Sequence, residues 1–316
     1  TRLAHLWARE GVRHGEKVWL TCYNEPLEGF LVGTTAGRHS PYVRRFLHHI
    51  QALQGIIVPP EPDEASERHR YWNDELAPLV LGQLGAEHAV WDRIVVDEFQ
   101  DFNSSWLEIL ERLVRPGGKI LAVADRAQNV YGRDLDWQSL AGRWVHAELR
   151  RNCRNTRAIA RVLQLLGGAE PATACIEGEL PTFVTPNPLS TVVDNVHSVL
   201  MQHDQGYTPS DTMILVKERR HRQDLTNTVV NGTPVRAYVG GGSDAYICET
   251  VRRAKGLEAK HAIICDPEGH MSDSELYVAI ARAQHHLTII APLAVSARLS
   301  RANYDTRVSP TTSTMR

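Results

Sequence analysis

The chain has 316 residues and 42% of them are hydrophobic, which is enough for two domains of about 150 residues and argues against a disordered protein. Its 35 basic and 37 acidic residues give a net charge of −2, so a polyanionic partner would have to bind a local patch. The five cysteines form no CxxC pair, and no apolar run reaches the roughly 18 residues of a membrane span. We therefore expect a soluble, cytoplasmic protein without a zinc site, a disulfide framework or a membrane partner.

Short apolar runs rich in branched residues alternate along the chain with stretches of helical periodicity. In chain order, the predicted strands are residues 17–23, 93–97, 119–124, 212–216, 261–265 and 287–291. The predicted helices are residues 2–13, 41–53, 104–113, 156–166, 189–202 and 274–283. Ser272 and Asp273 are available to cap the last helix. Strands that alternate with helices predict an α/β fold with parallel sheets.

Two changes in composition indicate the domain organisation. Residues 34–88 are richer in His, Pro and charge than their flanks, and they separate one predicted strand from the next as a small helical insertion would. A second change lies near residue 143. We therefore predict a first domain at 1–143, a second at 144–298 and a disordered tail at 299–316, where Ser, Thr and Arg occur without periodicity. The glycine run at 240–243 is interpreted as a turn.

The chemistry-bearing segment that stands out first is an apolar strand that ends in two acids. Residues 94–96 are Ile-Val-Val, and Asp97 and Glu98 follow directly. Adjacent acids at a strand end suit nucleotide hydrolysis, because one can hold a magnesium ion while the other polarises the attacking water. A solvated acidic turn explains the two acids equally well. The longer string DEFQD is more specific than the acidic pair.

The string DEFQD at residues 97–101 resembles motif II of the UvrD/Rep/PcrA helicases of superfamily 1. Other segments resemble further motifs of that family in the family's order: TCYN at 21–24, ADRAQNVY at 124–131, LRRNCRNT at 149–156, TVRRAKGLE at 250–258 and LYVAIARA at 276–283. The resemblance covers the chain from residue 21 to residue 283. It implies two RecA-like parallel-sheet domains, the P-loop NTPase helicase core, with a small helical insertion in the first.

The resemblance also implies catalytic roles in the use of ATP and Mg²⁺. Asp97 would hold magnesium, and Glu98 would activate the attacking water. Gln128 would sense the γ-phosphate and couple the nucleotide to DNA. Arg154 and Arg282 would stabilise the transferred charge, because a guanidinium group presents a planar fork to phosphate oxygens.

Further residues are implied in ligand binding. Glu258 would bind the ribose beside Gly256, whose lack of a side chain permits a close backbone approach. A plain surface turn is the alternative explanation of that glycine. The implied nucleic-acid contacts are Tyr23, Asn24, Tyr131, Thr250 and Arg252. Aromatic and cationic side chains of this kind suit a groove for single strands that does not read sequence. Trp137 is a weaker stacking candidate.

The first residues resemble the end of the family's phosphate-binding loop. In the family, GxGKT leads directly into a helix and then into the strand before the TCYN-like segment, and residues 1–4 resemble the continuation of GKT. Thr1 would then bind magnesium together with Asp97, and the chain would begin just after the Walker A lysine. The alternative is that Thr1 is a helix cap. On the first interpretation, residues 1–316 alone would be inactive although the parent protein hydrolyses ATP.

Some positions depart from the family's motifs. Cys153 replaces a tyrosine that would stack on adenine, and Arg133 replaces a tryptophan that would separate bases. Arg252 replaces a histidine and Ala281 a threonine. The interval from residue 156 to residue 250 is too short for the large mobile 2B domain of the long helicases. We therefore expect a compact relative, with a fused or associated nuclease domain as one option.

The resemblance predicts an ATP-dependent DNA helicase or translocase motor, a hydrolase of DNA repair, that acts on single-stranded DNA or at a junction of single- and double-stranded DNA. Two alternatives remain open. One is a catalytically silent helicase-like module that binds DNA or a protein. The other is a DNA-stimulated ATPase switch in a defence or repair complex. Recovery of a GxxGKT sequence before Thr1 would favour the motor.

Overall fold

The computed structural model describes residues 1–131, 144–202, 206–239 and 244–304. It divides into two compact units, Thr1–His146 and Ala147–Arg316, which we call unit 1 and unit 2. The sequence-based boundary at 143/144 lies three residues before this division. Arg133, Trp137 and the glycine run at 240–243 fall outside the described residues.

Unit 1 contains a sheet of four strands with helices around it. The strands are β1 (Val18–Thr21), β2 (Tyr42–Val43), β3 (Trp91–Val96) and β4 (Val114–Ala122). The helices are α1 (Arg2–Arg13), α2 (Glu25–Thr35), α3 (Phe46–Gln51), α4 (Ala65–Arg70), α5 (Leu76–Leu81) and α6 (Ser104–Leu113). A π-helical turn, Tyr71–Glu75, joins α4 to α5. The strand order is β2-β1-β3-β4, and all neighbours in this sheet run parallel.

The register of this sheet brings two predicted motifs together. β3 is almost entirely buried and ends in the apolar run 94–96, as expected for a strand with both faces covered, although it also contains Asp92 and the buried Arg93. Thr21 at the end of β1 pairs with Val96 at the end of β3. Because the two strands are parallel, residues 21–24 and residues 97–101 leave the sheet at the same edge. Ligands bind at this edge in open α/β sheets.

The predicted helical insertion also contributes a strand. The sequence predicts a helix at 41–53, but Tyr42 and Val43 form β2 and the helix α3 begins only at Phe46. Aromatic and β-branched residues favour a strand, and β2 pairs in parallel with β1 through Trp19 and Leu20. The helix prediction was therefore wrong for the start of this segment.

Unit 2 is built on a larger sheet. Its strands are β5 (Arg151–Asn152), β6 (Glu170–Pro171), β7 (Thr182–Val184), β8 (Thr212–Val216), β9 (Val229–Val230), β10 (Thr233–Arg236), β11 (Tyr246–Thr250), β12 (Ala259–Cys265) and β13 (Ala283–Ile290). Its helices are α7 (Arg157–Leu165), α8 (Val192–Gln202), α9 (Arg219–Thr226), α10 (Asp273–Ile280) and α11 (Leu293–Tyr304). The sheet order is β7-β13-β12-β8-β11-β10-β9, and β5 and β6 form a separate pair.

In the large sheet of unit 2, all neighbours run parallel except β9 and β10. Val216 at the end of β8 pairs with Thr250 and with Cys265, so β8, β11 and β12 end at one edge. The α/β class with parallel sheets is therefore confirmed. Ser272 caps α10 as predicted, through a capping box with Glu275.

The end of the chain is more ordered than the sequence suggests. A disordered tail was expected from residue 299, but α11 continues to residue 304. Leu299 is fully buried, and the buried side chain of Asn303 donates to the carbonyl oxygen of Ala158 at 3.3 Å. These contacts hold the last turns of the helix on α7. Residues 305–316 of the expected tail lie outside the described part of the chain.

None of the described helices combines the length and the apolar character needed to cross a membrane.

Candidate functional site

Asp97 lies at the carboxyl end of β3 with 1% of its side chain exposed. Apart from the amino group of Thr1, neither carboxylate oxygen has a donor nearby among the described residues, and the buried hydroxyls of Thr1 and Thr21 also lack hydrogen-bond partners there. The amino group of Thr1 lies 3.2 Å from Asp97 Oδ1. Buried polar groups are costly unless they are paired or bind a metal. A carboxylate and hydroxyls are hard oxygen ligands, so these residues fit a magnesium ion.

The neighbouring thiol does not offer a metal ligand. Cys22 is buried, and burial, reinforced by the Asp97 carboxylate, raises the pKa of its thiol well above the usual value. It therefore stays protonated. In the described ranges, no group of three or more His, Cys, Asp or Glu side chains could hold a metal. Ligands of a magnesium ion besides Asp97 would thus be hydroxyls, water or phosphate oxygens.

Glu98 has an unusual backbone conformation. Its φ of 55° and ψ of 46° lie in the left-handed region, which costs a residue other than glycine roughly 1–2 kcal/mol. The next residue, Phe99, donates its N–H to Val123 O at 2.9 Å. The chain thus turns sharply at Glu98 and returns to the end of β4. Strained backbone of this kind concentrates at functional sites.

A chain of hydrogen bonds links the two motifs of unit 1. Gln100 Nε2 donates to Glu98 Oε2 at 2.6 Å, and Gln100 Oε1 accepts from the backbone N–H of Asp125 at 2.9 Å. Asp125 Oδ2 in turn accepts from Gln128 Nε2 at 2.8 Å. We call this set of four side chains the glutamine relay. It connects two predicted site residues through Gln100 and Asp125, to which the sequence analysis gave no role although both lie in the motif-like strings.

Two of the predicted nucleic-acid contacts lie together. The rings of Tyr23 and Tyr131 meet edge to face with centroids 5.2 Å apart, and both remain partly exposed. Tyr23 also packs against Trp72 and Trp106 at 5.9 and 5.8 Å. Asn24, by contrast, is buried at the start of α2. It is therefore less accessible to a nucleic-acid strand than the two tyrosines.

In unit 2, Arg154 and Glu258 form an ion pair. Arg154 Nε lies 3.0 Å from Glu258 Oε1, and Gln284 donates to the other carboxylate oxygen. The start of α7 is tied to the start of β13, because the N–H of Thr156 donates to Gln284 O at 3.0 Å. Two predicted nucleotide contacts thus meet at the amino ends of β12 and β13.

Arg282 occupies a different environment from Arg154. Its side chain is 0% exposed, and Nε and Nη1 donate to Val278 O and Leu257 O at 2.9 and 3.0 Å. Its guanidinium therefore holds the turn before β12 against α10. That turn contains Gly256 with φ +83°, a conformation that glycine adopts readily. A role of Arg282 in charge stabilisation stays a prediction and requires these carbonyl contacts to open.

The remaining predicted contacts lie at the carboxyl end of β11. Thr250 Oγ1 accepts a hydrogen bond from the N–H of Arg253. The exposed Arg252 places Nη2 3.8 Å from Glu275, which Lys217 also approaches to 3.5 Å. Burial acts to raise the pKa of Glu275, but hydrogen bonds from Ser272 and these cations outweigh it and lower the pKa. Glu275 therefore stays charged between the two basic side chains.

A cavity of about 560 Å³ also opens in unit 2, between the loop after β7 and the start of α9. Its walls include Thr191, Arg220, His221 and Asp224. None of the predicted site residues lines it. The predicted residues are therefore organised around the sheet ends and not around this cavity.

Two helicase family models match the chain. Residues 82–134 match the UvrD/REP helicase N-terminal domain, and residues 246–290 match the UvrD-like helicase C-terminal domain. The first segment contains the glutamine relay. The second segment contains Arg252, Glu258 and Arg282. The motif-like strings at 21–24 and 149–156 lie outside both matches.

Solved structures give weaker likenesses. The C-terminal domain of a possible DNA helicase from Lactobacillus plantarum WCFS1 is 26% identical, with a TM-score of 0.37 over 48% of this chain and 94% of that one. The PRRSV helicase is 12% identical, with a TM-score of 0.48 over 91% of this chain and 49% of that one. The arterivirus nonstructural protein 10 helicase, solved with DNA, is 12% identical, with a TM-score of 0.46 over 94% of this chain and 59% of that one.

The chain thus spans about half to three fifths of the length of these viral helicases. A comparison with curated proteins gave no match. The family-model matches nevertheless follow each other in the order that the motif-like strings require. The chain therefore carries one segment similar to the UvrD/REP helicase N-terminal domain and, after it, one segment similar to the UvrD-like helicase C-terminal domain.

Proposed function

We propose that this protein works as an ATP- and magnesium-dependent motor that hydrolyses ATP and moves along single-stranded DNA. The observation that carries the proposal is that the buried Asp97 carboxylate directly precedes Glu98, the first residue of the glutamine relay. A metal-binding acid, a second acid and a glutamine then lie on adjoining loops at the carboxyl edge of one sheet. These groups supply the metal binding and the positioning of water on which phosphoryl transfer to water depends.

The residues of unit 1 divide the proposed chemistry among them. Bound Mg²⁺ would neutralise charge on the phosphate oxygens. Asp97 holds that ion, with the hydroxyl of Thr1 as a second candidate ligand. Glu98 accepts the proton of the attacking water, and Gln100 fixes one of its carboxylate oxygens at 2.6 Å. Gln128 contacts the terminal phosphate. Positioning and charge neutralisation supply most of the catalysis in such reactions.

The residues of unit 2 supply cationic and ribose contacts in this proposal. Arg154 neutralises phosphate charge and Glu258 binds the ribose, so their ion pair of 3.0 Å must open when the nucleotide binds. Arg282 contributes a second positive charge. Single-stranded DNA stacks on Tyr23 and Tyr131 and contacts the region of Thr250 and Arg252.

A second candidate is a helicase-like module that binds DNA or a protein without hydrolysing ATP. The observation that favours it is the burial of Arg282, whose guanidinium is bound by two backbone carbonyls as a structural arginine would be. Hydrolysis of ATP by the complete protein distinguishes the two candidates, because the module would show none with or without DNA.

The test of the motor is the variant Glu98→Gln in the complete protein. The amide keeps the shape of the carboxylate but does not accept the proton of water, so we expect ATP binding to persist and turnover to fall by about 10²–10⁴-fold. ATP hydrolysis and binding of a fluorescent ATP analogue would be measured on the same preparation. Glu108→Gln, at an exposed position on α6, is the control. Turnover at the wild-type rate in Glu98→Gln would remove Glu98 from the mechanism.

A further inference from the structure

We propose that Gln100 is a positioning residue that makes ATP hydrolysis depend on nucleic acid, by transmitting the position of the 125–131 segment to the Glu98 carboxylate. This inference rests on the proposed function. Gln100 has no predicted catalytic role. In this inference it links Tyr131, the proposed contact to the DNA strand, to Glu98, the proposed activator of water.

Only one orientation of the Gln100 amide satisfies both of its hydrogen bonds. The side chain is 1% exposed, its amide nitrogen faces a carboxylate oxygen of Glu98, and its amide oxygen faces the N–H of Asp125. A flipped amide would place two oxygens together at one end and two N–H groups together at the other. Both ends are therefore fixed, and the side chain acts as a spacer of set length between the two loops.

Asp125, which contacts the amide oxygen of Gln100, is itself linked to Gln128 and Tyr131. Asp125 accepts hydrogen bonds from the N–H of Ala127 at 3.0 Å and from the side chain of Gln128. The N–H of Val130 donates to Gln128 O, and Tyr131 packs on the ring of Tyr23. A shift of Tyr131 on strand binding would therefore move the N–H of Asp125 that Gln100 holds. Coupling through such contiguous contacts needs no change elsewhere in the fold.

The orientation of the Glu98 carboxylate depends on its contact with Gln100. Its backbone is held in the left-handed region, and the Gln100 amide donates to its carboxylate at 2.6 Å. Hydrogen bonds to charged groups are stronger than those between neutral groups. Loss of this donor would remove a restraint on the orientation of the carboxylate toward the water it must polarise. The rate of the chemical step would fall without a loss of nucleotide binding.

The variants follow from the geometry of the amide. Gln100→Met keeps the volume of the side chain and removes both hydrogen bonds. Gln100→Glu keeps an acceptor for the N–H of Asp125 but places a second carboxylate against Glu98. Gln83→Met is the control, because the partly exposed side chain of Gln83 also bridges a backbone N–H and a backbone carbonyl, those of Ile57, outside the relay.

The experiment measures ATP hydrolysis by the complete protein with and without saturating oligo-dT. For Gln100→Met and Gln100→Glu we expect the stimulated kcat to fall by about tenfold or more, which corresponds to one charge-assisted hydrogen bond. The KM for ATP and the affinity for oligo-dT should change less than about threefold. This split between kcat and binding separates a positioning role from general loss of structure. Gln83→Met should keep the full stimulation.

Two further variants keep the inference testable if a Gln100 substitution disturbs folding. Asp125→Ala, at a partly exposed position, removes the carboxylate that accepts from Gln128. It should reduce stimulation by oligo-dT in the same way. In the double variant Gln100→Met/Asp125→Ala, stimulation should be no lower than in the less stimulated of the two single variants, because both act through one chain of contacts. Additive losses would overturn the inference.

Failure of this inference and failure of the proposed function give different results. If Glu98→Gln is inactive while Gln100→Met keeps wild-type stimulation by oligo-dT, Gln100 does not transmit the signal. If Glu98→Gln hydrolyses ATP normally, the proposed function itself is wrong.

Discussion

His49 lies in an aromatic and cationic environment in unit 1. Its ring is 4.1 Å from that of Trp19, and it accepts a hydrogen bond from Trp91 Nε1 at 3.3 Å. It is 6% exposed. Burial, together with the charges of Arg44 and Lys17, lowers its pKa from 6.5 to about 4. The imidazole is therefore neutral in the folded protein at pH values where a free histidine is largely charged.

This shift predicts a loss of stability in mild acid. Between pH 6.5 and pH 4 the unfolded chain takes up a proton at His49 and the folded chain does not, so the free energy of unfolding falls as the pH falls. With the unfolded pKa at 6.5, the loss between pH 7 and pH 5 is about 2 kcal/mol. Urea unfolding at the two pH values should show a smaller difference in His49→Gln than in the wild type. The exposed His14→Gln is the control, and equal pH differences in all three proteins would contradict the assignment.

The residues of the site show what a motif does and does not reveal. Asp97, Glu98 and Gln128 were predicted from strings, and the structure brings them to one edge of the sheet. The left-handed backbone of Glu98 and the bridging amide of Gln100 were not foreseen, because they depend on how the end of β4 meets the turn after β3. The complete burial of Arg282 depends equally on tertiary packing, which a local pattern does not contain.

At the scale of elements, the π-helical turn fixes the inserted segment to the rest of unit 1. The wider turn leaves backbone carbonyls outside the usual helical pattern. The carbonyl oxygen of Trp72 accepts from Asn103 Nδ2 at 2.6 Å and from Trp106 Nε1 at 3.2 Å. Asn103 precedes α6 but does not cap it with its side chain. Its amide instead joins the inserted segment to the residues that follow the DEFQD string.

Removal of this amide should loosen the inserted segment. Asn103→Ala leaves Trp106 as a donor to the Trp72 carbonyl, so we expect a loss of about 1 kcal/mol in stability and not global unfolding. Amide hydrogen exchange should accelerate in residues 71–81. Glu108→Ala, on the exposed face of α6, should leave the exchange unchanged. Equal protection in both variants would show that the packing of Trp72 alone holds the segment.

The elements were predictable where burial and periodicity agree. The strand at 212–216 was predicted with its observed bounds, and its residues are all buried. The strand β4 was predicted at 119–124 but begins at Val114, because Val114 pairs with Trp91 across an irregularity before the regular register resumes at Arg93 and Lys119. The short β2 was missed because two residues carry no periodicity of their own.

The charge of the whole molecule bears on how it would bind DNA. With a net charge of −2, attraction to a strand depends on local basic side chains such as Arg252 and Lys217 around Glu275. Neither stacking nor phosphate contacts read base edges, so we expect affinity for single strands to fall with salt and to vary little with sequence.

Arg252→Ala should lower the salt dependence by about one unit in the slope of log K against log salt concentration, as loss of one phosphate contact does. Fluorescence anisotropy with oligo-dT and with a mixed sequence, each at several salt concentrations, measures both effects. The exposed Arg301→Ala on α11 is the control. An unchanged slope in Arg252→Ala, or strong sequence preference in the wild type, would contradict the proposed DNA contacts.

The parallel sheet of unit 2 places its two sets of predicted contacts at opposite ends of its strands. Glu258 and Arg282 precede β12 and β13, whereas Thr250 ends β11 and Arg252 follows it. The seven residues of β12 span roughly 20 Å. A parallel sheet of this kind holds the two sets of contacts at a fixed separation. In the proposed function, the length of these strands therefore sets the distance between the nucleotide contacts and the DNA contacts of unit 2.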